Sequence, residues 1–209
     1  MSWKLGAVLW ASACLAAGPF EAGGFLGYGA YRTATVFAPD GTATAGIDNR
    51  FVAGAFFSED LYEHLSGELR YVYQDGDPFV TAGGQRGNIQ GQSHAVHYDF
   101  LIRPLRRDAR LQPYFAVGAG MKYYRTAGPA PVTQPLPQIV TLASRSEVSG
   151  LFTEGVGVKY RLTGHIFING DFLDYVTKFP RNLFVPAAGG TDRGIFHQFT
   201  PSLGVSVRL

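Results

Sequence analysis

The chain has 209 residues, with 18 Lys and Arg against 16 Asp and Glu, which gives a formal net charge of +2 at pH 7. This near balance, without a basic run, argues against a surface that binds nucleic acid. Charged residues make up 16% of the chain, fewer than the roughly 25% of an ordinary soluble protein. The length predicts one domain, or at most two small ones, because about 100 to 200 residues form one domain.

The first segment has the layout of a secretory signal peptide. Lys4 supplies a positive charge, residues 5–15 are mostly apolar, and small residues follow them. The apolar stretch is too short to span a bilayer as a helix. We therefore expect residues 1–17 to be a cleaved signal and residues 18–209 to form the mature domain. The only cysteine, Cys14, lies in the signal, so no disulfide or thiolate metal site is expected in the mature chain.

The rest of the chain alternates apolar and polar residues with a period of two, which is typical of strands with one apolar and one wet face. The alternation is cleanest over the last eleven residues, where Leu203, Val205 and Val207 oppose serine, glycine and arginine. Eight segments are predicted as strands on this basis: residues 20–32, 50–57, 66–74, 94–103, 113–125, 148–162, 165–176 and 196–209. The faces of the second strand stay unassigned.

The predicted connections alternate in length. Short ones fall at residues 58–65, 104–112 and 162–164, and long ones at residues 33–49, 75–93, 126–147 and 177–195. Outer-membrane barrels have this asymmetry, with short periplasmic turns and longer external loops. Four prolines predict an extended third long loop: Pro129, Pro131, Pro135 and Pro137.

Three features disturb the pattern. Pro201 cannot donate a ladder hydrogen bond, so we expect a local irregularity in the last strand. Glu154 shares its face with Phe152 and Val156, which predicts a bulge or a position near the lipid headgroups. The abundant glycines are interpreted as sites of curvature and close packing, because no Lys-Ser/Thr pair follows them as in a phosphate-binding loop.

The signal segment, eight alternating segments, unequal connections and terminal series Leu203, Val205, Val207 and Leu209 resemble the outer membrane protein A-like group of barrels. The resemblance implies an all-β, eight-stranded antiparallel up-and-down transmembrane β-barrel in the bacterial outer membrane, without a peptidoglycan-binding domain. It also implies contact with outer-membrane lipid and lipopolysaccharide, and recognition of the C-terminal strand by the barrel-assembly machinery. Leu209 stands where the family usually ends in phenylalanine.

Two kinds of barrel differ in which face of their strands, apolar or polar, points outward. A soluble lipocalin-like barrel would turn its apolar face inward to bind a small hydrophobe, but the scarcity of charge favours a membrane barrel. Ionisable residues then point into a lumen that eight strands leave only wide enough for side chains. The predicted lumen network consists of Glu68, Arg70, His97, Asp99, Arg103, Lys122, Lys159, Asp171 and Arg208. We expect Glu68 and Arg70 to pair with Asp99 and Arg103 on the neighbouring strand.

No catalytic, cofactor or metal site is predicted. A lipid A deacylase needs a histidine and a serine on the lipid-facing surface, with an acid to orient the histidine. Phe199 stands where His197 would need that serine, and the adjacent Ser93 and His94 point to opposite faces. Clusters with metal-ligand spacing are absent from the sequence.

Aromatic residues near the strand ends are predicted to form the interfacial girdles of a membrane barrel. These residues are Tyr28, Tyr31, Tyr71, Tyr73, Tyr123, Tyr124, Tyr160 and Phe199. The leading interpretation is a non-catalytic barrel with a structural or surface-interaction role, which acts through long external loops on an unidentified partner. The alternatives are a narrow pore or small-molecule passage, and a lipid A-modifying barrel enzyme.

Overall fold

The alternating segments form a closed barrel of eight antiparallel strands, as predicted. The structure is a computed structural model that describes residues 20–128, 134, 136–192 and 194–209. Its strands are β1 (Phe20–Tyr31), β2 (Ala34–Ala38), β3 (Gly41–Ile47), β4 (Arg50–Tyr62), β5 (Leu65–Asp75), β6 (Pro78–Ala82), β7 (Gln85–Asn88), β8 (Gly91–Ile102), β9 (Leu111–Thr126), β10 (Val140–Leu142), β11 (Ser146–Arg161), β12 (Ile166–Lys178), β13 (Phe184–Pro186), β14 (Thr191–Asp192) and β15 (Ile195–Arg208). The barrel order is β1-β15-β12-β11-β9-β8-β5-β4, and β4 pairs with β1 to close it. The predicted signal, Cys14 and the prolines at 129, 131 and 135 lie outside the described residues.

The barrel turns its ionisable face inward and its apolar face outward. Leu203 and Met121 are 70% and 63% exposed, whereas Glu68 and Lys122 are fully buried in the lumen. This orientation makes the lipocalin-like alternative wrong. It also assigns the second barrel strand, β4, whose Phe56 points inward. No helix in the described residues is long and apolar enough to cross a membrane.

The second barrel strand is longer than predicted. β4 runs to Tyr62 and pairs with β5 through Ser58–Glu68 and Asp60–Ser66, with a register shift between Asp60 and Tyr62. The predicted connection 58–65 therefore shrinks to a turn at residues 63–64. The polar run that looked like a loop is a strand because its inward side chains meet a polar lumen.

The strand pairing shows an irregularity at Pro201 and none at Glu154. Pro201 stays in register with Phe172 on β12, but pairing with β1 is interrupted between the pairs Gly27–Ser202 and Ala30–Phe199. The expected irregularity is thus a gap on one side of the strand. The register runs without a shift through Glu154, which pairs with Val117 and Asp174 and is exposed on the outward face. The first alternative, a bulge, is therefore wrong, and a position near the lipid headgroups stays a prediction.

The long connections, expected to be loops, form a folded structure that we call the external cap: β2, β3, β6, β7, β10, β13 and β14. Five of its strands make one sheet in the order β14-β2-β3-β6-β7, and β10 pairs with β13. The β6–β7 hairpin turns at Gly83 and Gly84, with φ of +56° and +80°, the positive values that a two-residue hairpin turn requires.

The external cap has an apolar core of its own. Val36, Val80, Val140 and Phe184 are fully buried, and the core extends down to Tyr31, Tyr124 and Phe196 at the rim of the barrel. Tyr31 and Tyr124 therefore are not girdle residues, which corrects the sequence prediction. Both side chains point inward because the cap covers this end of the barrel and offers an apolar layer for their rings.

We expect Phe184→Ala to open the external cap and leave the barrel closed. Phe184 is fully buried, with its ring centroid 5.1 Å from that of Phe179, and removing a core phenylalanine costs about 3 to 5 kcal/mol. Limited proteolysis should then cut within residues 136–192, while the unboiled protein keeps its shifted migration on a denaturing gel. Phe37→Ala, at a cap residue that is 39% exposed, is the control. Unchanged protease resistance of Phe184→Ala would contradict a cooperative cap.

Candidate functional site: the barrel lumen and the lipid-facing rim

Arg70 is the centre of an ion-pair network inside the barrel. Its Nε and Nη2 atoms donate to Glu68 Oε1 at 2.9 and 2.6 Å. Its Nη1 and Nη2 atoms donate to Asp171 Oδ2, across the lumen, at 3.3 and 3.2 Å. The guanidinium also lies 4.8 Å from the ring centroid of Phe25 and 5.4 Å from that of Phe56. One cation thus joins two carboxylates from facing walls of the barrel.

The network continues towards the rim with the short turns. Lys159 Nζ donates to Glu21 Oε1 at 2.9 Å and lies 3.8 Å from Glu68 Oε2. Arg208 Nη2 lies 3.9 Å from Glu21 Oε2 and 3.8 Å from Asp60 Oδ2. Acidic and basic side chains therefore alternate in this part of the lumen, so each of these charges has an opposite neighbour.

Arg103 completes the network at this rim. Its Nη2 atom donates to Asp60 Oδ1 at 2.9 Å, and the Ser66 hydroxyl donates to the same oxygen at 2.8 Å. Arg103 and Arg208 thus share one carboxylate, so Asp60 links the two arginines.

His97 and Asp99 form a separate pair on β8. His97 Nδ1 lies 2.9 Å from Asp99 Oδ1, and the Thr153 hydroxyl donates to that oxygen at 2.5 Å. The His97 and Tyr175 rings meet edge to face, with centroids 5.2 Å apart. Glycine makes this packing possible, since a Cβ on Gly118 would collide with Asp99 Oδ1.

Lys122 stands apart from the ion pairs. Its ammonium donates to Gln198 Oε1. It lies 5.0 Å from the ring centroids of Tyr31 and Tyr124 and 5.9 Å from that of Tyr175. This lysine is held by aromatic faces and an amide, under the apolar core of the external cap.

All nine predicted lumen residues point inward, but they are not connected as predicted. Arg70 pairs with Glu68 on its own strand and with Asp171 across the lumen, not with Asp99. The expected pairing between β5 and β8 is wrong because an eight-stranded barrel is narrow. Long side chains reach the opposite wall, and strand adjacency does not decide their partners.

Three members of the network were missed in the sequence. Glu21 and Asp60 accept the ion pairs described above, and Tyr114 donates from its hydroxyl to Asp171. Glu21 shares the parity of the inward residue Phe25, which could have identified it. Asp60 was lost with the shortened second strand. Tyr114 shares the parity of the inward residue Lys122 on β9, which could have identified it.

The outward surface near the external cap carries two histidines in different settings. His197 Nδ1 lies 2.7 Å from Asp174 Oδ2, and its ring stacks on Phe199 with centroids 6.3 Å apart. His94 Nδ1 is hydrogen-bonded to the Tyr71 hydroxyl at 2.8 Å. Among the described residues, no serine or threonine hydroxyl is hydrogen-bonded to either imidazole. Nor does any group of three His, Cys, Asp or Glu side chains in that part of the chain suit a metal ion.

The other predicted girdle aromatics lie on the outward face. Tyr28, Tyr71, Tyr123 and Tyr160 are all exposed there, and Tyr73 and Phe199 are half-buried. The rings of Tyr71, Tyr73 and Tyr123 surround His94, with centroids between 5.5 and 6.4 Å from the imidazole. This cluster lies near the capped rim, and Tyr160 lies at the opposite rim, as two girdles require.

Comparison with known proteins points to one architecture. The sequence matches the family described as outer membrane protein beta-barrel domain over residues 7–208. Among solved structures, the chain is similar to Neisserial surface protein A, with 11% identity, a TM-score of 0.53, and coverage of 92% of this chain and 98% of that chain. It is also similar to OprG from Pseudomonas aeruginosa, with 15% identity, a TM-score of 0.55, and coverage of 91% and 95%.

The outer membrane protein AlkL, solved in DMPC lipid bilayers, matches with 13% identity, a TM-score of 0.50, and coverage of 99% of this chain and 96% of that chain. At such identities these likenesses concern the fold alone. No curated protein matches the sequence significantly. The family match over nearly the whole chain, together with the closed barrel, decides the assignment: this chain belongs to the outer membrane protein beta-barrel domain family and lies in the bacterial outer membrane.

Proposed function

We propose that this protein is a non-catalytic, non-conducting outer-membrane barrel that presents the external cap as a preorganised surface for a partner outside the cell. The observation that carries the proposal is the folding of the long connections into one cap with a common apolar core. A surface that is rigid before binding loses less conformational entropy when it binds. The long connections of outer-membrane barrels lie outside the cell, which places the cap where a partner can reach it.

The lumen supports a structural role for the barrel beneath the cap. Arg70, Glu68 and Asp171 occupy the middle of the barrel with paired, buried charges. Eight strands leave an interior that side chains can fill. The barrel then acts as a stable membrane anchor for the cap.

Binding by the intact cap tests the proposal. Wild-type protein in lipid nanodiscs would be screened against an array of defined glycans, lipopolysaccharide cores and extracellular matrix proteins. We expect wild type to bind a ligand, Phe184→Ala to lose it, and His165→Ala, exposed at the opposite rim, to keep it. Absence of binding by wild type, or equal binding by Phe184→Ala, would contradict the proposal.

One observation favours the lipid-modifying alternative. Asp174 orients His197 on the outward surface, which is half of the constellation that a deacylase uses. The ring of Phe199 covers one side of His197, where a nucleophile would be needed. Lipid A from cells that express wild type or Asp174→Asn should therefore give identical mass spectra. A mass change that depends on Asp174 would establish the enzyme and remove the non-catalytic proposal.

A further inference from the structure

The periplasmic turns carry a basic cleft that the lumen network does not use. The cleft lies between the turn of residues 103–110 and the turn of residues 162–165, and its volume is about 290 Å³. Its lining residues are Arg110, Arg161, Leu162, Thr163 and Gly164. The backbone amide of Arg161 donates to the carbonyl of Arg110 at 2.9 Å. The last residue of β11 and the residue before β9 thus bring two guanidinium groups to one place.

The charges of these two arginines are not compensated by carboxylates. Arg161 Nη2 donates to the backbone carbonyl of Asp108, and the Arg110 guanidinium lies 5.1 Å from the ring centroid of Tyr160. The nearby carboxylates of Glu63 and Asp108 pair with Arg106 instead, with oxygens 3.2 and 3.5 Å from its Nε atom. Within the described residues, neither Arg110 nor Arg161 makes an ion pair, so the cleft is positively charged.

The wall of the cleft is fixed by its own turn. The Thr163 hydroxyl accepts hydrogen bonds from the amides of His165 and Ile166 at 3.3 and 3.1 Å. The amide of Leu162 donates to the carbonyl of Ile166 at 2.9 Å. The cleft is therefore shaped before a ligand arrives, and the cost of ordering it on binding is small.

Apolar residues continue from the cleft onto the lipid-facing surface. Leu111, Tyr160 and Leu162 are all exposed on the outward side of the barrel, next to the two arginines. A soluble anion would contact only the guanidinium groups of the cleft. A lipid would contact the guanidinium groups through its phosphate and the apolar residues through its acyl chains. We propose that the cleft binds the phosphate of an anionic phospholipid from the inner leaflet of the outer membrane, with acyl chains lying against these apolar residues. Arginine suits this role because its planar guanidinium donates paired hydrogen bonds to phosphate.

Native mass spectrometry of the detergent-solubilised protein tests the proposal, with phosphatidylglycerol and phosphatidylethanolamine supplied at equal concentration. Wild type should retain phosphatidylglycerol preferentially. Arg110→Gln and Arg161→Gln should each weaken its binding roughly tenfold or more, since a charge-assisted hydrogen bond is lost. Arg107→Gln is the matched control, because it removes the same charge from an exposed residue of the same turn outside the cleft. Within the described residues, the Arg110 side chain makes no hydrogen bond and contacts the Tyr160 ring, so Arg110→Gln is expected to leave the barrel folded.

Three outcomes would overturn the proposal. The first is equal retention of the two lipids by wild type, and the second is equal weakening by Arg107→Gln and Arg110→Gln. The third concerns glycerol phosphate, which carries the anion without acyl chains. It should displace phosphatidylglycerol only at roughly a hundredfold higher concentration or more, since it buries no acyl surface. Displacement at equal concentration would assign the cleft to a soluble phosphate.

Discussion

Replacing Arg70 with alanine is expected to lower the free energy of unfolding of the barrel by about 3 to 5 kcal/mol. The reason is that Glu68 and Asp171, both buried, would share the middle of the lumen without their common cation. Contacts of the guanidinium with the Phe25 and Phe56 rings would be lost as well. Denaturant unfolding in lipid bilayers measures the change.

Two further variants distinguish the loss of charge pairing from other effects of Arg70→Ala. Arg208→Ala removes an arginine of the same network whose contacts to Glu21 and Asp60 are 3.9 and 3.8 Å long. It should cost less than Arg70→Ala, because Glu21 keeps Lys159 and Asp60 keeps Arg103 as a partner. The triple variant Arg70→Met, Glu68→Gln, Asp171→Asn should recover much of the stability, since replacing a whole buried ion pair is often neutral. Wild-type stability of Arg70→Ala would show that these ion pairs do not hold the lumen together.

Arginine at position 203 is expected to destabilise the barrel in a bilayer by about 2 to 4 kcal/mol. Leu203 is 70% exposed on the outward face and pairs with Leu26 and Gly170 on its two neighbouring strands. These positions lie well inside their strands, so the guanidinium of Leu203→Arg would enter the hydrocarbon. Reversible unfolding in bilayers of defined thickness measures the cost.

The control for Leu203→Arg is a residue on the same outward face that lies at a different depth in the membrane. Val207→Arg lies on the same outward face, opposite Ile166 at the first position of β12, so its charge can reach the headgroups. Its expected cost is about 0 to 1 kcal/mol. Equal costs for the two variants would mean that the membrane does not cover the barrel at the depth that the strands imply.

The sequence predicted the barrel well because its determinants are local. A period of two locates each barrel strand, and the parity of residues such as Arg70 and Lys122 determines whether they face the lumen. The end of β4 was misjudged because Ser58, Glu59 and Asp60 are polar on both faces near a rim. Alternation distinguishes faces only where one of them is apolar.

The pairing of the lumen charges and the existence of the external cap could not be predicted in the same way. Arg70 and Asp171 are far apart in the sequence and meet only because the closed barrel is narrow. The cap strands are short, and their core joins residues from several connections, such as Val36, Val80 and Phe184. The inward position of Tyr124, beside the outward Tyr123, was missed although the alternation implied it.

The measurement that tests the central claim most directly is the current through wild-type protein in a planar lipid bilayer. The claim is that paired charges around Arg70 fill the lumen and that the external cap closes its outer end. Wild type should therefore insert without producing steady channels, and Arg70→Ala should show leakage if the barrel stays closed. Stable, uniform channels from the unmodified protein would contradict the account and would make the narrow pore its function.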